Sequence, residues 1–199
     1  MDANVFYPQI VDLMALPPTE RHMRFSQLHT TIVQAYLSAL RAITVEKAAQ
    51  KVVLGSETRT LTQVVGHIME WERFMLLAAG DVLAGVRQPR MVTSLAGYIE
   101  PDGALPTFAG IDAFNAYQAE KHANWPWEKV RAMALDTAPT LHALFTQPHL
   151  LTAERLEQTQ RHRKRLYSGA VLEEVAMGWS LWIIALEHEG VEHAPELGM

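Results

Sequence analysis

The stretch "AVLEEVAMGWSLWIIALEHEGVEH", residues 170–193, decides the fold. Within it Val175, Trp179, Trp182, Leu186, Glu189 and His193 follow one another at steps of four, three, four, three and four, which is one continuous face of an α-helix. A last helix is therefore expected from near Ser168 and Gly169 through His193. Its apolar run from Trp179 to Leu186 is too short to cross a bilayer, which takes about 20 residues. It ends in a cluster of ionisable side chains, "EHEGVEH" at residues 187–193, so the helix either reaches water there or carries a site.

Upstream, the same period recurs. After Pro17-Pro18-Thr19, a stop followed by a cap, Phe25, Leu28, Ile32, Tyr36 and Leu40 predict a helix over 19–43. A polar connection with a helical turn over "VEKAAQ" leads to "GSETRT", where Thr60 and Gln63 have the spacing of a capping box. A second helix follows over 61–85, with Val64, Ile68, Trp71, Met75 and Ala78 inward and Gly85 as its stop. The segment 86–110, rich in glycine and proline, predicts a long crossover that covers a pocket or joins distant ends of a bundle. A third helix starts at Ile111, breaks near Pro126 and continues with Pro126 in its first turn, and Pro139 is expected to kink or restart it. No period of two lasts long enough to predict a strand. Four long helices with one long crossover make an all-α four-helix bundle, and 199 residues suit a single domain over 1–199.

Composition narrows the function. The chain has no cysteine, which removes thiolate metal sites, thiol catalysis and disulfides and leaves any metal to His, Asp and Glu. A formal charge of −5 gives no reason to expect a nucleic-acid partner. The one basic cluster, "RHRKR" at 161–165, is expected to be a solvated loop or helix end. The N-terminus has no basic segment followed by a long apolar run, so neither a secretory signal nor a membrane anchor is expected, and a cytoplasmic protein is the default. Phosphate-cradling glycine motifs and a G-x-S-x-G turn are absent from the sequence.

The chemistry concentrates at the helix end. A face that buries Trp179 and Trp182 cannot cheaply bury a bare carboxylate, so Glu189 needs a partner or a metal. Residues four apart on a helix have Cβ atoms about 5–6 Å apart, which lets Glu189 and His193 converge on one ion. His67, between Val64 and Trp71 and beside Gly66, is the candidate third ligand. Two imidazoles and a carboxylate suit zinc, nickel or iron with open positions. A competing pair, His188 and Glu192, is also four apart, whereas His188 and His193 are five apart and turn about 140° from one another on an α-helix. The plain alternative is a Glu189–His193 pair on a fraying helix end with His67 as a core histidine.

The second helix "TLTQVVGHIMEWERF", the third-helix stretch "IDAFNAYQAEKHANWPWEKV" and the ending "EGVEHAPEL" together resemble the DinB-like metalloprotein superfamily, including its mycothiol-dependent maleylpyruvate isomerase and bacillithiol transferase branch. The resemblance implies a bundle, often a homodimer, with a divalent metal held by three side chains at one end. It places the metal ligands on His67, Glu189 and His193. It further implies an ion that activates a low-molecular-weight thiol or water for transfer to an electrophilic small molecule, with transferase or hydrolase activity. Trp71, Trp179 and Trp182 would shape the pocket, and Glu72 and His188 would orient the ligands. A metal-binding or ligand-sequestering protein without turnover, and a structural interaction bundle, are the rival readings.

Overall fold

The computed structural model describes every residue but Gly55, Ser56 and Thr93, together with the side chains of Leu54 and Glu57. The first residues of the polar connection expected before Thr60 therefore lie outside the described residues. Four helices form the bundle: α2 (Pro18–Ala42), α4 (Leu61–Leu83), α6 (Trp127–Thr146) and α8 (Met177–Glu187). Shorter helices flank them, namely α1 (Ala3–Met14), α3 (Val45–Ala48), α5 (Ile111–His122), α7 (Ala153–Glu157) and α9 (Ala194–Leu197). The all-α bundle and its long crossover are as the period of 3.6 predicts. Phe25, Leu28, Ile32, Tyr36 and Leu40 of α2 are buried, as are Val64, Ile68, Trp71, Met75 and Ala78 of α4. The capping box at Thr60 and Gln63 is formed in both directions and starts α4.

Three features depart from the sequence-based expectation. Two antiparallel hairpins decorate the bundle, β1 (Lys51–Leu54) with β2 (Glu57–Thr60) and β3 (Arg161–Arg165) with β4 (Val171–Ala176). The basic cluster is thus strand β3, neither loop nor helix end, and Val175 belongs to β4, so the last helix starts only at Met177. Pro139 does not break α6. It sits on the half-exposed flank of the helix, where solvent can satisfy the carbonyl that loses its amide partner. Pro126 is the cap of α6 and lies one residue before its first turn.

The third departure positions the site. After Glu187 the last helix widens into a π-helical turn over His188–Glu192 before α9. Gly190 lies inside that turn, and a Cβ there would meet the Ile32 side chain of α2 at 2.8 Å. The absence of a side chain lets the turn press against α2. At the other end of α8, a Cβ on Gly178 would lie 2.9 Å from the Leu156 backbone, so that glycine sets the approach of α7. Among the described residues no helix is long and apolar enough to cross a membrane.

Candidate metal centre and its cleft

A π-helical turn bonds residue i to i+5, so residues five apart come onto roughly one face. That brings His188 and His193 to the same side, against His67 of α4. The ring centroids are 5.2 Å apart for His67 and His193, 5.9 Å for His67 and His188, and 6.4 Å for His188 and His193. Glu189 points away from them. It is fully buried, and its Oε2 accepts a hydrogen bond from His29 Nε2 of α2 at 2.9 Å. Of the residues expected from the sequence, the structure brings His67 and His193 together, with His188 rather than Glu189 at the third corner.

Two of the three imidazoles are oriented from behind. The Ile184 carbonyl can only accept, so His188 Nδ1–H must donate to it at 3.2 Å, leaving Nε2 toward the cleft and 3.4 Å from a Glu192 carboxylate oxygen. His67 Nδ1 faces Gln118 Oε1 of α5 at 3.2 Å, which leaves its Nε2 free. Both ring nitrogens of His193 are buried without a partner. Burial, the other histidines and Arg59 push the His67 pKa well below its usual value. Burial and His188 lower that of His193 to about 4. Both rings are therefore neutral at pH 7 and offer lone pairs.

This donor set fits a divalent ion such as zinc, nickel or iron: three imidazoles, two held by a hydrogen bond on the far nitrogen and one with orphaned nitrogens. As the side chains stand, no group of three His, Asp or Glu among the described residues is closed around an ion-sized point. Rings around one tetrahedral ion, with nitrogens at about 2.0–2.1 Å from it, have centroids about 5 Å apart. The two longer separations both involve His188, so closure asks for an inward shift of that ring by roughly 1 Å.

The scaffold that holds His67 was not evident from spacing. Gly66 leaves room for His122 of α5, whose Nδ1 would lie 2.6 Å from a Cβ there, and not for a ligand. His122 and Lys121 then contact Glu70 of α4 at 3.3 and 2.7 Å, and Tyr98 of the crossover donates to the same carboxylate. Burial works against the Glu70 charge, but hydrogen bonds from His122, Lys121 and Tyr98 outweigh it and hold the pKa at about 2. Beneath the histidines lies a second polar cluster. Trp182 Nε1–H donates to His29 Nδ1 at 3.1 Å, so His29 carries a proton on Nε2 and donates it to Glu189. Glu72 is fully buried with both oxygens unpartnered, and burial followed by the Glu189 charge raises its pKa well above the carboxylate range. His29 could have been noticed because it falls four residues after Phe25 and next to Leu28 on the buried stripe of α2.

The three histidines line a cleft of about 910 Å³. The crossover lines it too, with Met91, Leu95 and Phe108, joined by Trp71 of α4, whose Nε1 donates to Asn115 Oδ1 of α5 at 3.2 Å. The two hairpins supply Arg59, Lys164 and Arg165. Of the other tryptophans expected at the pocket, Trp179 and Trp182 are in the core, their rings parallel within 3° and 5.9 Å apart.

No protein-family model and no curated protein sequence matches the chain. Two solved structures do match in shape. One is the mycothiol-dependent maleylpyruvate isomerase, at 14% identity and a TM-score of 0.56 over 94% of this chain. The chain has the DinB-like fold. The other is a histidine-to-alanine mutant of the same isomerase, at 14% identity and a TM-score of 0.55. The chain spans 62% of the length of those two solved chains. At this identity the likeness concerns the DinB-like fold alone, and the chemistry has to be argued from the cleft.

Proposed function

We propose that the chain is a divalent-metal-dependent enzyme in which His67, His188 and His193 hold one zinc, nickel or iron ion at the base of the cleft. The observation that carries the proposal is the π-helical turn, which brings the His188 and His193 rings to within 5.9 and 5.2 Å of the His67 ring. When bound, the ion supplies Lewis acidity that lowers the pKa of a thiol or water. Three protein ligands leave a position for that nucleophile. The neutral state of His67 and His193 keeps their nitrogens from needing to lose a proton first. Glu192, 3.4 Å from His188 with one oxygen buried and unpartnered, is placed to accept the proton the nucleophile gives up. Met91, Leu95 and Phe108 of the crossover give the same cleft an apolar lining. The thiol-dependent isomerase that shares the fold supports a low-molecular-weight thiol as the nucleophile and a small electrophile as its acceptor. A homodimer is part of the same proposal, on the resemblance alone.

Metal content of the protein purified without chelator tests this reading. About one divalent ion per chain is expected, with loss in His67→Ala, His188→Ala and His193→Ala and retention in Glu189→Ala. Retention in His188→Ala with loss in Glu189→Ala would restore the carboxylate of the α-helical register as the ligand. No ion in the wild type, and no rise in melting temperature on adding Zn²⁺, Ni²⁺ or Fe²⁺, would sink the metal altogether.

A further inference from the structure

The basic cluster "RHRKR" serves no purpose in the metal centre, yet β3 carries it to the rim of the same cleft. Its residues divide by what they meet. Arg161 pairs with Glu157 at 2.6 Å and Arg163 with Glu173 at 3.2 Å, both outside the cleft lining. His162 Nε2 meets Ser180 Oγ of α8 at 2.6 Å. Lys164 and Arg165 line the cleft. Lys164 is only 11% exposed in its side chain, and its ammonium has Glu187 at 3.4 Å. Arg165 is exposed and, among the described residues, forms no ion pair. Arg59 of the other hairpin lines the same cleft, close enough to the histidines to disfavour their protonation. Trp71, Met91, Leu95 and Phe108 line it too. The cleft lining therefore combines three cationic side chains, with Glu187 and Glu192 beside them, and an apolar, aromatic group.

We propose that the cleft binds a small amphiphilic anion, its carboxylate against Lys164 and Arg165 with Arg59 nearby, and its apolar or aryl body against Trp71, Met91, Leu95 and Phe108. This deepens the proposed function by naming the class of molecule presented to the metal centre. A guanidinium fork matches a carboxylate through two parallel hydrogen bonds, and a partly buried ammonium strengthens the pair beyond its value in open water. The apolar wall repels a bare inorganic anion and rewards an organic body. The charge comes from one of two sources, the electrophile or the thiol that attacks it.

Binding to chelator-treated protein tests this without any dependence on the metal, by calorimetry and by saturation-transfer NMR. One arm compares phenylacetate with phenylacetamide. The other compares glutathione with its neutral diester, N-acylated so that its amine carries no charge. A preference for the acid of roughly tenfold is expected in at least one arm, about what one charge-assisted hydrogen bond contributes. The arm that shows it identifies the source. The preference should shrink at 1 M salt and fall at least threefold in Arg165→Gln, an exposed position whose replacement leaves the fold intact. Arg59→Gln should reduce it as well. Equal binding of acid and neutral partner in both arms overturns the proposal. So does a preference that survives in Arg59→Gln/Arg165→Gln. Neither result bears on metal content, so this inference and the metal reading fail separately.

Discussion

At the scale of single residues, burial decides which ionisable groups are structural and which are poised. Glu70 is buried and fully paired, so its charge is held. Glu72, two residues later on the same helix, is equally buried and has no partner for either oxygen. Its pKa is raised, so the folded protein keeps a proton that the unfolded chain loses above about pH 4.3. Its contribution to stability is full below that pH and is lost as pH rises toward the folded pKa. Glu72→Gln is expected to raise stability at pH 8 by about 1–2 kcal/mol and to flatten the fall in melting temperature above pH 5, because the amide needs no proton to be neutral. Chemical denaturation of both proteins across pH 5–8 checks this, and a variant less stable than wild type at pH 8 would contradict it. Glu70 behaves oppositely. Its pKa is lowered to about 2, so its contribution is present above about pH 4.3 and fades as pH falls toward 2. Glu70→Ala strands His122 and Tyr98, leaves Lys121 with Glu100 alone, and should cost about 3 kcal/mol at neutral pH, measured by the same denaturation. His67 and His193 were legible in the sequence as ionisable groups on apolar faces, and both are buried or nearly so. The partners that orient His67 and His188 were not, because Gln118 and Ile184 carry no spacing signal.

At the scale of elements, the period of 3.6 made the long helices legible, because α2 and α4 bury one stripe each at that spacing. The hairpins were not legible. β1 and β2 are four residues each, and β3 is a run of basic residues and one histidine with no apolar alternation to mark it. The π-helical turn was not legible either. Glu189 and His193 satisfy an α-helical face as well as His188 and His193 satisfy a π-helical one, and local sequence does not separate the two. What separates them is tertiary: Gly190 against Ile32, and Glu189 drawn inward to His29. Gly190→Ala should therefore push the turn off α2, destabilise the protein by about 1–3 kcal/mol and weaken zinc binding. Melting curves with and without zinc measure both effects. An unchanged melting temperature would show that the close approach to Ile32 is not what holds the turn.

At the scale of the molecule, the bundle provides a rigid base and the additions to it provide the cleft. The crossover and the two hairpins all lie outside the four helices, and all three meet around His67, His188 and His193. Loops and edges on a rigid scaffold commonly carry specificity. The sequence marked the crossover as a segment that covers a pocket or joins distant ends of the bundle, and Met91, Leu95 and Phe108 do line the cleft. It gave no sign that "RHRKR" would reach the same space, since β3 is carried there only by its pairing with β4 and the packing of that hairpin on α8. Replacing Phe108 by Ala should open the apolar wall and weaken binding of an aryl ligand several-fold while leaving zinc stoichiometry unchanged, as calorimetry with each would show.

The central claim is that the widened turn makes His188 a ligand and leaves Glu189 to the core. An anomalous difference map from crystals of the zinc-loaded protein tests it directly. The account predicts one peak within about 2.0–2.1 Å of a nitrogen of each of His67, His188 and His193, with Glu189 still on His29. A peak coordinated by Glu189, with the turn returned to an α-helix and His188 pointing elsewhere, would contradict it.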